Sequence, residues 1–589
     1  MSAPFSSLPR PNQPEFLSLE DMASRVQSGQ RIAVGGALFY RLPIALVKAV
    51  IARRIRDLEY VSWSGGLPLE MLLAAGAVRK IRFCFSSLDI FGLAPLFRRA
   101  LEEKSVEAED WTAISLISAL KAAQHHLPSA PIRPAPASDV YARSGYAVAY
   151  RDPITGEELA AVPALPVDSC LLHASRADED GNIEIIGSRH LDESMMGAAQ
   201  QVLATVEEIV PRGGLGTRPG SLIWPRRLVA AIALSPGGAY PTSCPNYYVT
   251  DYRALQRITA TSPPRVFPPD PDRFQFLQRA ARVIPSKVTS SALLLHRQGP
   301  PLDAPVTIDE IMAVWLARQF DDETICSVGA VSPLAFTAYL LAKRHHAPGL
   351  TILPANAGCV DIAFRPMMLA LGESLDTQSA VYYCGGDDAW HRFYLHGFIT
   401  HEVVSSAQID KWGRSNTIEI RAAGKTVRLP GQGGMAEVAD VGQHFILYHT
   451  RHSPRSLVEK VDVVSAARTL LTDQERLAAG LKPGRVQLVT DLGVFAINPE
   501  SREFELSSLH PGVELEKVRA ETGFPFPLAS DFGTTLPPTE EELRLLRAEV
   551  DPLGIRRLEF IPSKDRAALL EELLSSEDAV IHELLPEQG

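Results

Sequence analysis

Residues 351–361 read TILPANAGCVD, from Thr351 to Asp361. A short apolar run, Thr351-Ile352-Leu353, empties into the small residues Pro354, Ala355, Asn356, Ala357 and Gly358. That pattern predicts a buried strand ending in a tight turn. Side chains at the carboxyl end of a strand in an α/β sheet face the crevice where ligands bind. Small neighbours let another molecule approach the backbone, and Asn356 and Cys359 are the polar groups displayed there. From composition alone, a plain strand-to-helix turn explains the stretch as well.

The same texture runs outward in both directions. Ser18-Leu19-Glu20-Asp21 is a helix cap and first turn. RIAVGG, Arg31 to Gly36, is a strand closing on a double glycine, and Leu42-Pro43 opens an amphipathic helix. Strands are predicted at Leu58–Trp63 and Lys80–Phe85, with a helix over Leu69–Ala77 between them. From Pro263 to Pro305 proline punctuation without an apolar period predicts a linker or helical excursion. From Thr307 the βα alternation restarts, with the helix IDEIMAVWLARQF and the strand TICSVG mirroring the opening. The expected fold class is α/β, two tandem similar α/β domains fused in one chain. The boundaries are a flexible terminus at 1–17, a first domain at 18–262, a linker at 263–305 and a second domain at 306–589.

At 589 residues the chain is too long for one core. With 46% apolar and 22% charged residues it has an ordinary globular composition. A net charge of −11 argues against non-specific nucleic-acid binding. The N-terminal MSAPFSSLPRPNQPEF has no apolar core of a secretory signal, and no run approaches the ~18 apolar residues of a membrane span. The six cysteines, at 84, 170, 244, 326, 359 and 384, show neither CxxC spacing nor a disulfide framework. A reduced cytoplasmic setting is expected, with no metal, no nucleic-acid or membrane partner, and room for a homo-oligomer.

Several local patterns carry chemistry. Gly431, Gln432, Gly433 and Gly434 form a loop whose backbone NH groups suit an anion, since glycine allows positive φ and close approach. An ordinary turn is the competing reading. Gly424-Lys425-Thr426 has the ending of a P-loop, but Glu419 stands where its first glycine belongs. His391, His396 and His401 recur every five residues, a spacing that fits no helical metal motif. Cys359 becomes a nucleophile only where a cation or helix end lowers its pKa, and is otherwise a small buried residue.

Longer stretches resemble the family I coenzyme A transferases of the glutaconate CoA-transferase type. SVGAVSPLAFTAYLLAKRHHAPGLTILPANAG resembles the start of their β half. GGALFYRLPIALVKAV, with Gly35 and Gly36, HASRADEDGNIEI (173–185) and ATVEEIVP (204–211) resemble their α half. SSAQIDKWGRSNT, which begins at Ser405 and Ser406, and GQGGMAEVA (431–439) continue the β half. The family carries the two halves as separate subunits, so the resemblance implies a fused pair with the site between them. It implies an acyl-CoA thioester as substrate, no permanently bound cofactor, and acyl-CoA contacts from Gly431–Gly434, Ser405, Ser406, Gly35 and Gly36. In that family a glutamate at the strand end attacks the thioester. Here Asn356 occupies its position, and an amide cannot form the acyl anhydride. One decarboxylase of the superfamily has a cysteine in that slot; here Cys359 is displaced by three residues.

The tail, SSLHPGVELEKVRAETGF onward, resembles the steroid-ring-cleaving CoA hydrolase branch, whose α half has a catalytic glutamate in an acidic run. VEAEDWTA (106–113) stands there, with Ala113 opposite the last acid and Glu109 and Asp110 the nearest carboxylates; a solvated acidic run is the alternative. The implied activity is C–C bond hydrolysis or decarboxylation of a β-activated acyl-CoA. CoA transfer between carboxylic acids and a non-catalytic CoA-binding role are the alternatives.

Overall fold

The computed structural model describes residues 14–133, 138–287, 299–330, 332–354, 358–422 and 424–585. The first half is built on one parallel sheet. Its spatial order is Glu15–Phe16, Ala231–Leu234, Ala199–Val210, Val167–Asp178, Arg31–Val34, Leu58–Ser64, Val78–Phe85 and Glu107–Asp110. Two short antiparallel strands, Ile183–Ile185 and Leu222–Trp224, extend it beside Val167–Asp178. Central strands read as nearly continuous apolar runs because helices cover both faces of a parallel sheet. The predicted opening elements are present: Leu19–Ala23 is a helix whose Ser18 hydroxyl accepts the Asp21 amide at 3.1 Å, and the helix after Pro43 runs Ile44–Ala52.

The second half repeats the plan. Its sheet runs Thr351–Leu353, Ile325–Ser327, His401–Ser405, His444–His449 and Val486–Thr490, all parallel, then Gly493–Ile497, Phe504–Leu509 and Leu528–Thr534. In chain order this begins second, first, third, fourth, fifth. The core of the first sheet has the same order: Leu58–Ser64, Arg31–Val34, Val167–Asp178, Ala199–Val210, Ala231–Leu234. The restart at Thr307 is thus a repeat of topology as well as of pattern. Thr307 caps the helix Ile308–Ala317 in a capping box with Glu310.

The proline-rich stretch after 262 contains a helix, Pro271–Lys287. Its Leu277 and Ala280 are fully buried, and Phe276 stacks on His582 of the C-terminal helix, Ser563–Leu584, at 4.4 Å. That last helix returns to the first half, where Asp578 accepts from Arg253 at 2.9 Å. Among the described residues, no helix is long and apolar enough to cross a membrane.

The two halves share their cores. One apolar cluster joins Leu46 and Tyr252 to Met312 and Leu371; the other joins Trp111, Ile114 and Met195 to Trp390, Val438 and Leu457. Polar ties cross the same seam: Lys121 and Ser194 to Asp387 at 2.7 and 2.6 Å, Arg143 to Glu419 at 2.9 Å, and the Ser86 amide to the Pro430 carbonyl at 2.8 Å. Cut apart, each half would expose a broad apolar face. Residues 1–300 and 301–589 are therefore expected to be poorly soluble when expressed singly. Co-expressed, they should elute as one 1:1 complex on size exclusion, and two monodisperse monomers that ignore each other would count against the fused-pair architecture.

Candidate active site

In the second sheet the chain leaves Ile325–Ser327 for Thr351–Leu353 on one side, while His401–Ser405 lies on the other. This reversal is the topological switch point, where an α/β sheet opens a crevice at its strand ends. The register puts Ser327 beside both Leu353 and Glu402. Above this row lies a cavity of about 580 Å³, closed by the first half. Trp63, Phe85, Asp89 and His190 come from the first half; Leu353, Pro354, Gly358, Cys359, Trp390, Tyr394 and Glu402 come from the second. The volume is that of a small-molecule site, largely apolar with a few converging polar groups.

The glycine loop forms one wall, since Gly431, Gln432, Gly433 and Gly434 all line the cavity. Gly431 and Gly433 have φ of +110° and +63°. Their amides are already used: Gly431 donates to the Thr417 carbonyl at 2.9 Å, and Gly433 to the Cys84 carbonyl of the other half at 2.8 Å. The expectation that this pair faces an anion is corrected on that ground; they dock the loop. Among the described residues, the Gln432 and Gly434 amides have no protein acceptor, which leaves them as the loop's available donors. The Gln432 side chain donates to the Trp111 carbonyl at 3.1 Å, another tie across the seam.

Asn356 lies outside the described residues, although its neighbours Pro354 and Gly358 line the cavity. Cys359 lines it too, but burial, reinforced by the Asp376 carboxylate, pushes its thiol well up, so it is no ready thiolate. Ser405 and Ser406 are on the wall. The Ser406 hydroxyl is engaged locally, donating toward the Asn416 and Gln408 carbonyls and accepting the Asn416 amide.

Four expected residues are elsewhere. Gly36 donates to Asp192 at 2.8 Å, and a side chain at Gly35 would strike the same carboxylate; both glycines make room for the buried Arg41–Asp192 pair. Glu109 bonds Lys80 at 2.5 Å and Arg82 at 2.9 Å; burial lifts its pKa, and these cations outweigh that and hold it below the usual carboxylate range. Asp110 is held by Arg428 across the seam, one contact at 3.0 Å. Neither acid lines the cavity. Ala113 begins the helix Ala113–Gln124; the carboxyl beside Thr112 at its cap is Glu437, which burial pushes up to about 7. Gly424 is the turn of a plain hairpin, Glu419–Ala422 with Lys425–Arg428, so no P-loop exists there. His401 stacks on His444 at 4.5 Å. Among the described residues one His/Cys/Glu cluster could hold a metal, His173, Glu207 and Cys244, but His173 and Glu207 already share a 2.7 Å hydrogen bond.

Two carboxyls on the wall went unread in the sequence. Glu402 is 2% exposed and accepts the Ser327 hydroxyl at 2.7 Å, and the Tyr394 hydroxyl joins the same group. Burial lifts it to about 8 against the lowering effect of those hydroxyls. Half-buried Asp89 is raised to about 6, again by burial, on a backbone with φ +54°. The cavity histidines, His190 and His449, are pushed down to about 4 by burial and stay neutral. Arg566 of the C-terminal helix also reaches the wall, and its Nε has no protein partner among the described residues. The signal for Glu402 was its place inside HEVVS, beside Val403 and Val404, since a glutamate inside a central parallel strand is rarely buried without a partner or a purpose. Asp89 follows a strand and precedes a glycine turn, a weaker flag.

A parallel-sheet pair with a cavity at the seam defines a class of proteins, and comparison with known proteins identifies it. The family model described as coenzyme A transferase matches residues 16–234. An uncharacterised protein of Archaeoglobus fulgidus is 30% identical over 250 residues, 41% of this chain and 56% of that one. The cholesterol ring-cleaving hydrolase IpdA subunit of Mycobacterium tuberculosis is 32% identical over 241 residues, 39% of this chain and 82% of that one. The acyl-CoA transferase YdiF of Escherichia coli O157:H7, solved as a thioester complex with CoA, superposes with a TM-score of 0.65 at 15% identity. It spans 90% of this chain and 96% of that one, so it shares the fold through both halves. The chain belongs to the coenzyme A transferase family and is an enzyme of that superfamily.

Proposed function

We propose that the chain acts on acyl-CoA thioesters in the cavity at the seam, by chemistry at the acyl carbons rather than by moving CoA between acids. The reaction class is hydrolytic C–C cleavage or decarboxylation of a β-activated acyl-CoA. The observation that carries this reading is Asn356, an amide at the position where the transferases keep their nucleophilic glutamate. The wall supports it: apolar rings, neutral histidines and a protonated carboxyl suit an enolate better than an acyl anhydride. A relative named for cholesterol ring cleavage is in keeping with it. Arg566 is the cation we assign to a CoA phosphate. Transfer remains the rival because Asp89 and Glu402 are carboxyls in the same cavity.

Incubation with acyl-CoA, borohydride reduction and peptide mass spectrometry separates the two. No adduct is expected at Asn356, and none at Asp89 or Glu402. A CoA-modified or reduced carboxyl at either position would establish the transferase route instead.

A further inference from the structure

Both reactions just proposed pass through one species, the enolate of the CoA thioester, and that carbanion must be given a proton. We infer that Glu402, with the Tyr394 and Ser327 hydroxyls beside its carboxyl, passes that proton to and from the α-carbon of the acyl group. The inference rests on the acyl-CoA reading above.

Place is the first ground. Glu402 stands at the switch point of the second sheet, level with Ser327 and Leu353, on the wall of the cavity. Company is the second. Carboxylates that serve structure in this chain are paired with cations or capped by amides: Glu310 with Arg547 at 2.7 Å, Glu577 with the Ala370 amide at 2.9 Å, Glu559 with the Leu334 amide at 2.7 Å. Glu402 meets hydroxyls, and among its described contacts there is neither a cation nor a backbone amide. The remaining titratable groups near it are Cys326 and Tyr339 behind the strand, and Asp89, His190, His449 and Arg566 around the cavity. Such a carboxyl is held neutral yet within reach of ionisation, as a group that both gives and takes a proton must be.

The bookkeeping closes for either reaction. In C–C cleavage a water oxygen bonds to the β-carbonyl carbon and the Cα–Cβ bond breaks, its electron pair passing to Cα. The Glu402 proton goes to Cα, and the proton shed by the water returns to the carboxylate. In decarboxylation the electron pair of the C–CO₂ bond passes to Cα, CO₂ leaves, and the proton from Glu402 is replaced from solvent.

The test needs no knowledge of the natural acyl group. The full chain is incubated in D₂O with acetyl-, butyryl- and glutaryl-CoA, and α-deuterium is read by mass spectrometry. Binding is read separately by quenching of tryptophan fluorescence, since Trp63 and Trp390 line the cavity. Wild type should exchange faster as pH rises and level off above about 8. Glu402→Gln preserves shape and neutrality; it should bind equally, melt no lower at pH 7, and exchange about a hundredfold more slowly. Asp89→Asn is read beside it, and loss of exchange there while Glu402→Gln keeps it would give the proton transfer to Asp89 instead. Wild-type exchange in Glu402→Gln, loss in Asp89→Asn alone, or wild type that binds the thioesters without exchange at any pH would overturn the assignment while leaving the acyl-CoA reading in place. Failure of wild type to bind any of the thioesters would overturn that reading, and the assignment with it.

Discussion

Gly434→Ala is expected to lower the melting temperature and to cut turnover of any acyl-CoA substrate by about a hundredfold or more, the scale on which active-site groups are lost. A Cβ at Gly434 would stand 2.0 Å from Cη2 and 2.3 Å from Cζ2 of Trp390. That ring is buried and stacked on Tyr394 at 4.1 Å, so it can yield only by displacing Tyr394 or by swinging into the cavity. Overpacking of this kind costs about 1–3 kcal/mol, occasionally more. Displacing Tyr394 also uncouples its hydroxyl from Ser327 and Glu402.

Gly433→Ala is the control one residue away. Its Cβ would lie 3.4 Å from Trp63, an ordinary contact, and the positive φ costs about 1 kcal/mol. Its amide donates to Cys84 in either case, so turnover should stay within about threefold of wild type, far from the loss that a missing oxyanion donor causes. The measurements are kcat and melting temperature for both variants. Wild-type kcat in Gly434→Ala would mean that the loop does not shape the cavity.

Much of this architecture is legible in the sequence because parallel sheets leave a repeated signature of apolar runs, glycine turns and amphipathic helices. The restart at Thr307 predicts a second copy of the plan, and the two sheets open with one strand order. Leu353, Pro354, Gly358 and Cys359 from the stretch that opens the reading, the GQGG loop and Ser405-Ser406 all line the cavity. The acidic run at 106–113 misleads. In a one-dimensional reading Glu109 and Asp110 look available, but Lys80, Arg82 and Arg428, distant in sequence, claim both. The double glycine at 35–36 misleads similarly, because what it accommodates is Asp192, some 156 residues on. Glu402 is the converse case. Alone in HEVVS it is only an oddity; its role emerges when the register sets it beside Ser327 and folding brings Trp63 and Asp89 over it. Loop glycines betray close approach in sequence, but not which of their amides remain free.

The second large effect expected is on stability against pH. Glu373, Glu437, Glu559 and Glu577 are lifted by burial from 4.5 to about 7, and Glu402 to about 8. Between 4.5 and those values the folded chain keeps protons that the unfolded chain has lost, so each group lowers stability as pH rises, by up to about 1.4 kcal/mol per pH unit. Buried histidines work the other way. His190 and His449 are pushed down from 6.5 to about 4, and His401 and His452 to about 3. Below 6.5 the unfolded chain binds protons that the folded one refuses, so these groups raise stability as pH climbs to that value. From 4.5 to 6.5 the two sets oppose each other; above 6.5 the carboxyls act alone. The melting temperature should therefore be broad and high near pH 5–6.5, fall from about 6.5 to about 8, and then level off. Thermal scans from pH 4 to 9 at constant ionic strength would show it. Glu402→Gln, which removes the carboxyl with the highest value, should recover most at pH 8.5 and less at pH 5.5, where only about one pH unit of the loss, about 1.4 kcal/mol, has accrued. A melting temperature that is flat or rising between 6.5 and 8 would mean that these carboxyls are not buried neutral in the folded chain, and the proton-donating wall inferred for the cavity would lose its acid.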